Sequence, residues 1–95
     1  MENHDFEKAS SQKLEQWQTS LDHIRSQAEN VLPQQQLEFY RQLDLLEAKL
    51  ELAHIKLAQF RQADDATRDQ LKARLDAIFN EIENALDSAN AKIGQ

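Results

Sequence analysis

The near absence of turn-forming residues is the feature that most limits the folds open to this chain. One glycine, Gly94, and one proline, Pro33, occur among 95 residues. Sheets and loop-rich folds depend on such residues at their turns, so a chain that lacks them is built from long elements. Ala, Leu, Glu, Gln, Lys and Arg, which are strong helix formers, dominate the sequence. The sequence therefore predicts long helices joined by short turns.

The first predicted helix, about residues 8–31, carries one narrow apolar stripe. Its members follow one another at steps of three and four, and they are Leu14, Trp17, Leu21, Ile24, Ala28 and Val31. This is the a/d spacing of a coiled-coil seam, in which a helix packs along one side only. Residues 1 to about 8 precede the stripe and are expected to fray, as untethered termini usually do.

Pro33 interrupts the helical pattern. Proline lacks the backbone N–H that a helix interior needs, and it pushes the preceding Leu32 away from helical backbone angles. Proline is well tolerated in a first turn, so a second helix that starts at Pro33 is the simplest interpretation. The alternative is one long helix kinked at Pro33 that forms a hairpin with the C-terminal helix, because good helix formers flank the proline on both sides.

The second predicted helix, about residues 34–62, is apolar on two sides. One seam consists of Phe39, Leu43, Leu46, Leu50, Ala53, Leu57 and Phe60, and the other consists of Leu45, Ala48, Leu52 and Ile55. At roughly 100° per residue the two seams point about 150° apart. A helix that is apolar on two sides is normally buried between neighbours. This helix is therefore expected to be central, with its second seam on a flanking helix or on a second chain.

A turn near residues 63–66 is predicted before the third helix. Asp64 and Asp65 are favourable at a helix N-terminus, where the macrodipole stabilises negative charge. Thr67 followed by Gln70 fits a capping box. These residues are therefore interpreted as helix-capping residues rather than as a cation site.

The third predicted helix, about residues 67–93, carries one stripe and ends before Gly94, which stands at the expected C′ position. The stripe consists of Leu71, Leu75, Ile78, Ile82, Ala85 and Ala89, and it is widened by Phe79, Leu86 and Ile93. Three helices of similar length with short connections are typical of an up-down-up bundle. The sequence thus predicts one all-α domain, residues 1–95, that forms an antiparallel three-helix bundle or coiled coil.

Charge and composition argue against several classes of partner. The net charge of −6 disfavours nucleic acid, which proteins bind mainly through clustered basic residues. The chain has no cysteine, so disulfides and thiolate metal sites are excluded. It contains no apolar run of the roughly 18 residues that span a bilayer, and its N-terminus, MENHDFEKASSQ, does not resemble a secretory signal. We expect a cytoplasmic protein without a nucleic-acid partner or a cofactor.

One motif could carry metal chemistry. Glu51 and His54 have the E-x-x-H spacing that di-iron helical bundles use on two of their helices, because one helical turn brings both side chains to one side. A complete site needs a second such motif and further carboxylates, which only a second chain could supply, with Glu47 as an additional ligand. A structural role for these three residues is favoured, and the metal site is kept as an alternative.

A resemblance to a known group of proteins rests on three segments, KLEQWQTSLDHI, LEFYRQLDLLEAKLELAHIKLAQF and DQLKARLDAIFNEIENALDSANAKI. Together they resemble small bacterial proteins labelled coiled-coil domain-containing, a few with a stress-response association. The resemblance covers roughly residues 10–93. It implies a bacterial cytoplasmic helical protein with no catalytic residues to carry over. The chain departs from the group at Arg68, where an aromatic residue is common, at Phe79, where Trp is common, and at Pro33.

The sequence favours a non-enzymatic interaction or structural protein that associates with itself or with a helical partner. In a closed three-helix bundle the two neighbours of a helix lie closer together than about 150°, so the second seam would stay partly uncovered. An isologous dimer would cover it. The predicted interface residues are Leu45, Ala48, Leu52 and Ile55. The alternatives are a di-metal protein assembled across a dimer and an amphipathic lipid-surface protein, which the acidic charge disfavours.

Overall fold

The chain forms three long antiparallel helices, as the sequence predicts. The structure is a computed structural model that describes the backbone of residues 2–93 and the side chains of residues 4–93. The helices are α1, Glu2–Ser26; α2, Pro33–Gln62; and α3, Asp65–Ile93. They pack into a rod that measures 49 × 18 × 15 Å. The fold class, an all-α three-helix bundle, is confirmed.

Helix α1 begins earlier than predicted. It starts at Glu2 rather than near residue 8, so residues that the sequence predicted to fray form its first turns. The Phe6 ring packs on Phe60 of α2 with centroids 5.0 Å apart, and Ser10 is buried. These two residues continue the stripe of Leu14 at steps of four, which gives the first turns of α1 a packed side.

The connection between α1 and α2 is a turn, not a kink. Helix α1 ends at Ser26, a short 3-10 turn covers Ala28–Asn30, and α2 begins at Pro33. At this first position proline loses no hydrogen bond, because the first N–H groups of a helix have no partner within the helix. The Gln36 side chain donates to the Val31 carbonyl oxygen at 3.0 Å and ties the new helix to the turn. One long helix kinked at Pro33 is thereby excluded.

The connection between α2 and α3 is shorter than predicted. The backbone N–H of Thr67 donates to Oδ1 of Asp64 at 2.8 Å, which makes Asp64 the N-cap of a helix that starts at Asp65. The helix therefore starts two residues before the predicted Thr67, and Thr67 is not its cap, whereas the interpretation of Asp64 as a capping residue is confirmed. Hydrogen bonds from the backbone and side chain of Thr67 hold the pKa of Asp64 below its ordinary value of 3.8.

Arg68 closes the end of α2. Its guanidinium donates from Nε to the carbonyl oxygen of Phe60 at 3.1 Å and from Nη2 to that of Arg61 at 3.2 Å. Carbonyls in the last turn of a helix have no partner within the helix, so a cation placed there satisfies them and complements the macrodipole. Arg68 also lies over the Phe60 ring, 5.7 Å from its centroid. Arg68 thus has a structural role at the C-terminal end of α2.

The core lies along one side of each helix. On α2 every member of the first seam is buried, and we call this set the core seam: Phe39, Leu43, Leu46, Leu50, Ala53, Leu57 and Phe60. On α3 Ile78 and Ala85 are only partly buried, and the buried residues are Leu71, Leu75, Phe79, Ile82, Leu86 and Ala89. Phe79 packs against Trp17 of α1 in an edge-to-face arrangement, with ring centroids 5.4 Å apart. Gly94, predicted to terminate α3, lies outside the described residues.

Candidate interaction surface

The second apolar seam of α2 is left open by the other two helices. We call Leu45, Ala48, Leu52 and Ile55 the outer face of α2. Leu45 is 63%, Leu52 43% and Ile55 49% exposed, and Ala48 is exposed as well. Both α1 and α3 pack against the core seam, so of the two expected covers for the second seam the flanking helix is excluded among the described residues, and the second chain stays a prediction. Only a molecule outside the bundle, such as a second chain, could therefore cover the outer face.

The outer face has the spacing of a coiled-coil seam. Its residues are separated by three, four and three positions, which aligns them along the helix and places them about 150° from the core seam. Leu37, 67% exposed, lies about two turns before Leu45 on the same side of the helix, with the exposed Arg41 between them. From Leu37 to Ile55 the helix rises about 27 Å at 1.5 Å per residue. The open strip is long enough for several turns of a partner helix.

The flanks of this face carry charges of opposite sign. The flank toward α1 holds Asp44, Glu47 and Glu51, and the flank toward α3 holds Lys49 and Lys56. Two of the acids meet Arg25 of α1, at 3.5 Å for Asp44 and 3.0 Å for Glu47. On the other flank Lys49 meets Glu81 of α3 at 3.2 Å. These pairs are solvent-exposed, so each contributes less than about 1 kcal/mol and can exchange partners.

Glu51 and Lys56 stand apart from these contacts. Within residues 4–93 neither side chain takes part in an ion pair or a side-chain hydrogen bond. The residues three and four positions from each on α2 carry no opposite charge, so the helix itself supplies no partner either. Sequence reasoning singled out Glu51 only as a metal ligand and did not single out Lys56. The signal that could have found them is their position beside the a/d residues of the outer seam.

The candidate metal ligands Glu47, Glu51 and His54 lie on one exposed side of α2. Glu47 accepts a hydrogen bond from Arg25, which competes with a metal for its carboxylate. Among the residues whose side chains the structure describes, no group of three or more His, Asp or Glu residues is arranged to hold a metal ion. The di-metal hypothesis depends on a second chain, so it stays a prediction.

The surface depressions near the candidate residues are shallow. One, of about 230 Å³, runs between α2 and α3 and borders the outer face at Leu45 and Lys49. Another, of about 540 Å³, is lined by polar residues that include Gln34, Glu38 and Lys92. Its lining holds one hydroxyl, that of Ser88, without a histidine beside it to act as a base. Neither depression arranges a recognisable set of catalytic groups.

No helix within residues 2–93 has the length and hydropathy to cross a bilayer. No protein-family model matches the chain, and no curated protein or solved structure is significantly similar to it. The resemblance to small bacterial coiled-coil proteins therefore stays a prediction.

Proposed function

We propose that the protein is a non-enzymatic helical interaction protein that associates with a second copy of itself through the outer face of α2. The observation that supports this proposal is the line of exposed apolar side chains formed by Leu45, Leu52 and Ile55. Aligned apolar residues on a helix surface mark contact sites, whereas single exposed leucines carry no such meaning. A cytoplasmic location in a bacterium belongs to the same proposal and is supported by the sequence resemblance.

The size of the outer face argues for a weak dimer. A strip about 27 Å long and about 10 Å wide projects to about 300 Å² on each chain. A dimer that covers this strip on both chains buries about 600 Å² by this projection, which is below the roughly 1,000 Å² of specific interfaces and is typical of weak, transient contacts. Full burial of one leucine contributes about 1.5 to 3 kcal/mol, and part of that is already gained in the monomer. We therefore expect association in the micromolar to millimolar range rather than a permanent dimer.

Self-association is tested by sedimentation equilibrium with a pair of size-matched variants. Ala48 and Ala77 are both exposed in the middle of a helix, but only Ala48 lies on the outer face. Ala48→Glu places a charge in the seam, and Ala77→Glu adds the same charge on α3. The wild-type protein and Ala77→Glu are expected to show a mass that rises with concentration, and Ala48→Glu is expected to remain a monomer.

Two outcomes contradict the proposal. One is a wild-type protein that stays monomeric up to about 1 mM, a concentration at which contacts worth about 4 kcal/mol are already visible. The second contradicting outcome is an equal loss of association in Ala48→Glu and Ala77→Glu. Such a result would show that the contact lies elsewhere, or that the added charge alone prevents association. Circular dichroism of both variants checks that the bundle is still folded.

A further inference from the structure

We propose that the second copy binds parallel and in register, so that Glu51 of each chain meets Lys56 of the partner subunit. This inference rests on the proposed function, because it specifies how the two outer faces meet. It is supported by the charge pattern beside the face and by the absence of other partners for Glu51 and Lys56 among the described side chains.

The register follows from the heptad of the outer face. A step of three separates a from d, so Leu45 and Leu52 occupy a positions, and Ala48 and Ile55 occupy d positions. The g positions are then Asp44 and Glu51, and the e positions are Lys49 and Lys56. Every charged g residue along the face is thus acidic and every charged e residue is basic.

Parallel pairing satisfies this pattern. In a parallel coiled coil each g residue faces the e residue that lies five positions later in the partner. Glu51 then faces Lys56 of the partner subunit, and Asp44 faces Lys49 of the partner subunit, with each pair formed twice by symmetry. Asp44 and Lys49 already have contacts within the chain, so the two Glu51–Lys56 pairs are the ones that dimerisation adds.

Antiparallel pairing opposes the same pattern. With the two faces centred on residue 50, Leu45 meets Ile55 of the partner subunit, but e residues then face e residues and g residues face g residues. Glu51 meets Glu51 of the partner subunit, and Lys49 meets Lys49 of the partner subunit. Like charges at such positions destabilise by about the amount that opposite charges stabilise. The flank charges therefore separate the two orientations.

The ends and the width of the face are compatible with a parallel pair. Arg41 occupies the d position before Leu45, so two arginines meet at one end of the seam. Glu38 lies one turn before Arg41, at an a position. Each Arg41 can therefore reach the Glu38 carboxylate of its own chain or of the partner subunit. Between Asp44 and Lys56 the flanks of the face carry charges on both sides, which narrows the apolar strip to the width that one neighbouring helix covers.

Disulfide trapping tests the orientation directly, because the chain contains no cysteine. Gln59 is exposed at the a position that follows Ile55. In a parallel dimer the two copies of position 59 face each other at a separation of about 6 Å between Cα atoms, which a disulfide can span. In the antiparallel dimer position 59 faces position 41 instead. The variants Gln59→Cys and Arg41→Cys are therefore oxidised separately and as an equimolar mixture.

We expect Gln59→Cys and Arg41→Cys each to form a covalent dimer on its own, with no mixed product beyond what random collision gives. Asp76→Cys, on the exposed surface of α3, sets the level of random collision. A mixture in which the 59–41 product dominates, read from its intact mass, overturns the parallel orientation. The proposed function still stands in that case, provided that Ala48→Glu abolishes association.

Charge substitutions at Glu51 and Lys56 provide a second readout. In the parallel dimer Glu51→Gln removes two opposite-charge pairs and is expected to weaken association about threefold, the equivalent of a few tenths of a kcal/mol per pair. The exchange Glu51→Lys with Lys56→Glu restores both pairs and should return the affinity to that of the wild-type protein. In the antiparallel dimer Glu51→Gln removes a repulsion, so tighter association of this variant contradicts the inference.

A wild-type protein that never associates overturns both proposals.

Discussion

Two adjacent leucines of α2 should respond in opposite ways to the same truncation. Leu46 belongs to the core seam and is 1% exposed, whereas Leu45 belongs to the outer face and is mostly exposed. Leu→Ala removes the same atoms at both positions, so the comparison isolates the environment. We expect Leu46→Ala to destabilise the folded monomer strongly and Leu45→Ala to weaken self-association instead.

The magnitudes follow from burial. A leucine truncated in a packed core typically lowers the free energy of unfolding by about 2 to 5 kcal/mol, because the transfer energy is lost and a cavity remains. At Leu45 less than half of the side chain is covered, no closed cavity forms, and alanine is the better helix former. The cost at Leu45 should therefore lie below about 1 kcal/mol.

Urea denaturation followed by circular dichroism measures both effects, at a protein concentration low enough that the unfolding midpoint does not depend on it. The dissociation constant of each variant is then measured separately by sedimentation. Equal destabilisation of the monomer by Leu45→Ala and Leu46→Ala would refute the assignment of the two faces. The assignment would also be refuted if Leu46→Ala folds but loses association while Leu45→Ala keeps it.

Other perturbations address the turns and the metal hypothesis. Asp64→Ala should lower the free energy of unfolding because it removes the cap on the Thr67 N–H. Since the folded state lowers the pKa of Asp64, the stability that the cap contributes is fully present above pH 3.8 and is lost as the pH falls below it. The variant should therefore lose less stability on acidification than the wild-type protein. The same dependence of stability on acidic pH in both proteins would argue against the cap. Pro33→Ala should leave the radius of gyration in X-ray scattering equal to that of the wild-type protein, because the core seam still requires α1 to fold back on α2. A much longer particle would show that proline alone enforces the turn. Metal analysis of the purified protein should find no stoichiometric iron or manganese, and a metal content that disappears in His54→Ala would revive the di-metal alternative.

The core seam of α2 was readable from the sequence because large apolar residues occupy every position of a regular three-four spacing. The start of α1 was not, because Ser10 interrupts the stripe with a polar residue. Phe6 then looks isolated, although it continues the stripe eight residues before Leu14. A serine can occupy a core position in a helix because its hydroxyl is able to bond to a backbone carbonyl of the preceding turn.

Local ambiguity explains the other differences. Ile78 and Phe79 both fit a three-four spacing after Leu75, and the choice between them depends on which neighbour fills the space. The Trp17 and Phe79 rings pack in an edge-to-face arrangement, and this contact between α1 and α3 cannot be read from α3 alone. At the start of α3 two capping residues were available, and the tight turn after α2 selects Asp64.

The outer face shows where sequence patterns reach their limit. Spacing identified Leu45, Leu52 and Ile55 as a second apolar seam, but spacing alone does not specify what covers it. Only the packing of α1 and α3 on the core seam shows that the chain leaves this face open. The flank charges became informative once the contacts of Arg25 and Glu81 were known, because, of the charges on the two flanks of the outer face, those contacts leave Glu51 and Lys56 without a partner among the described side chains.

Amide chemical shifts recorded from about 10 μM to about 1 mM test the central claim most directly, since this range covers the expected affinities. Association through α2 predicts concentration-dependent shifts or line broadening for the amides of residues 44–56, with those on the exposed surfaces of α1 and α3 nearly constant. Spectra that do not change with concentration, or changes that map to α1 or α3, would contradict the account.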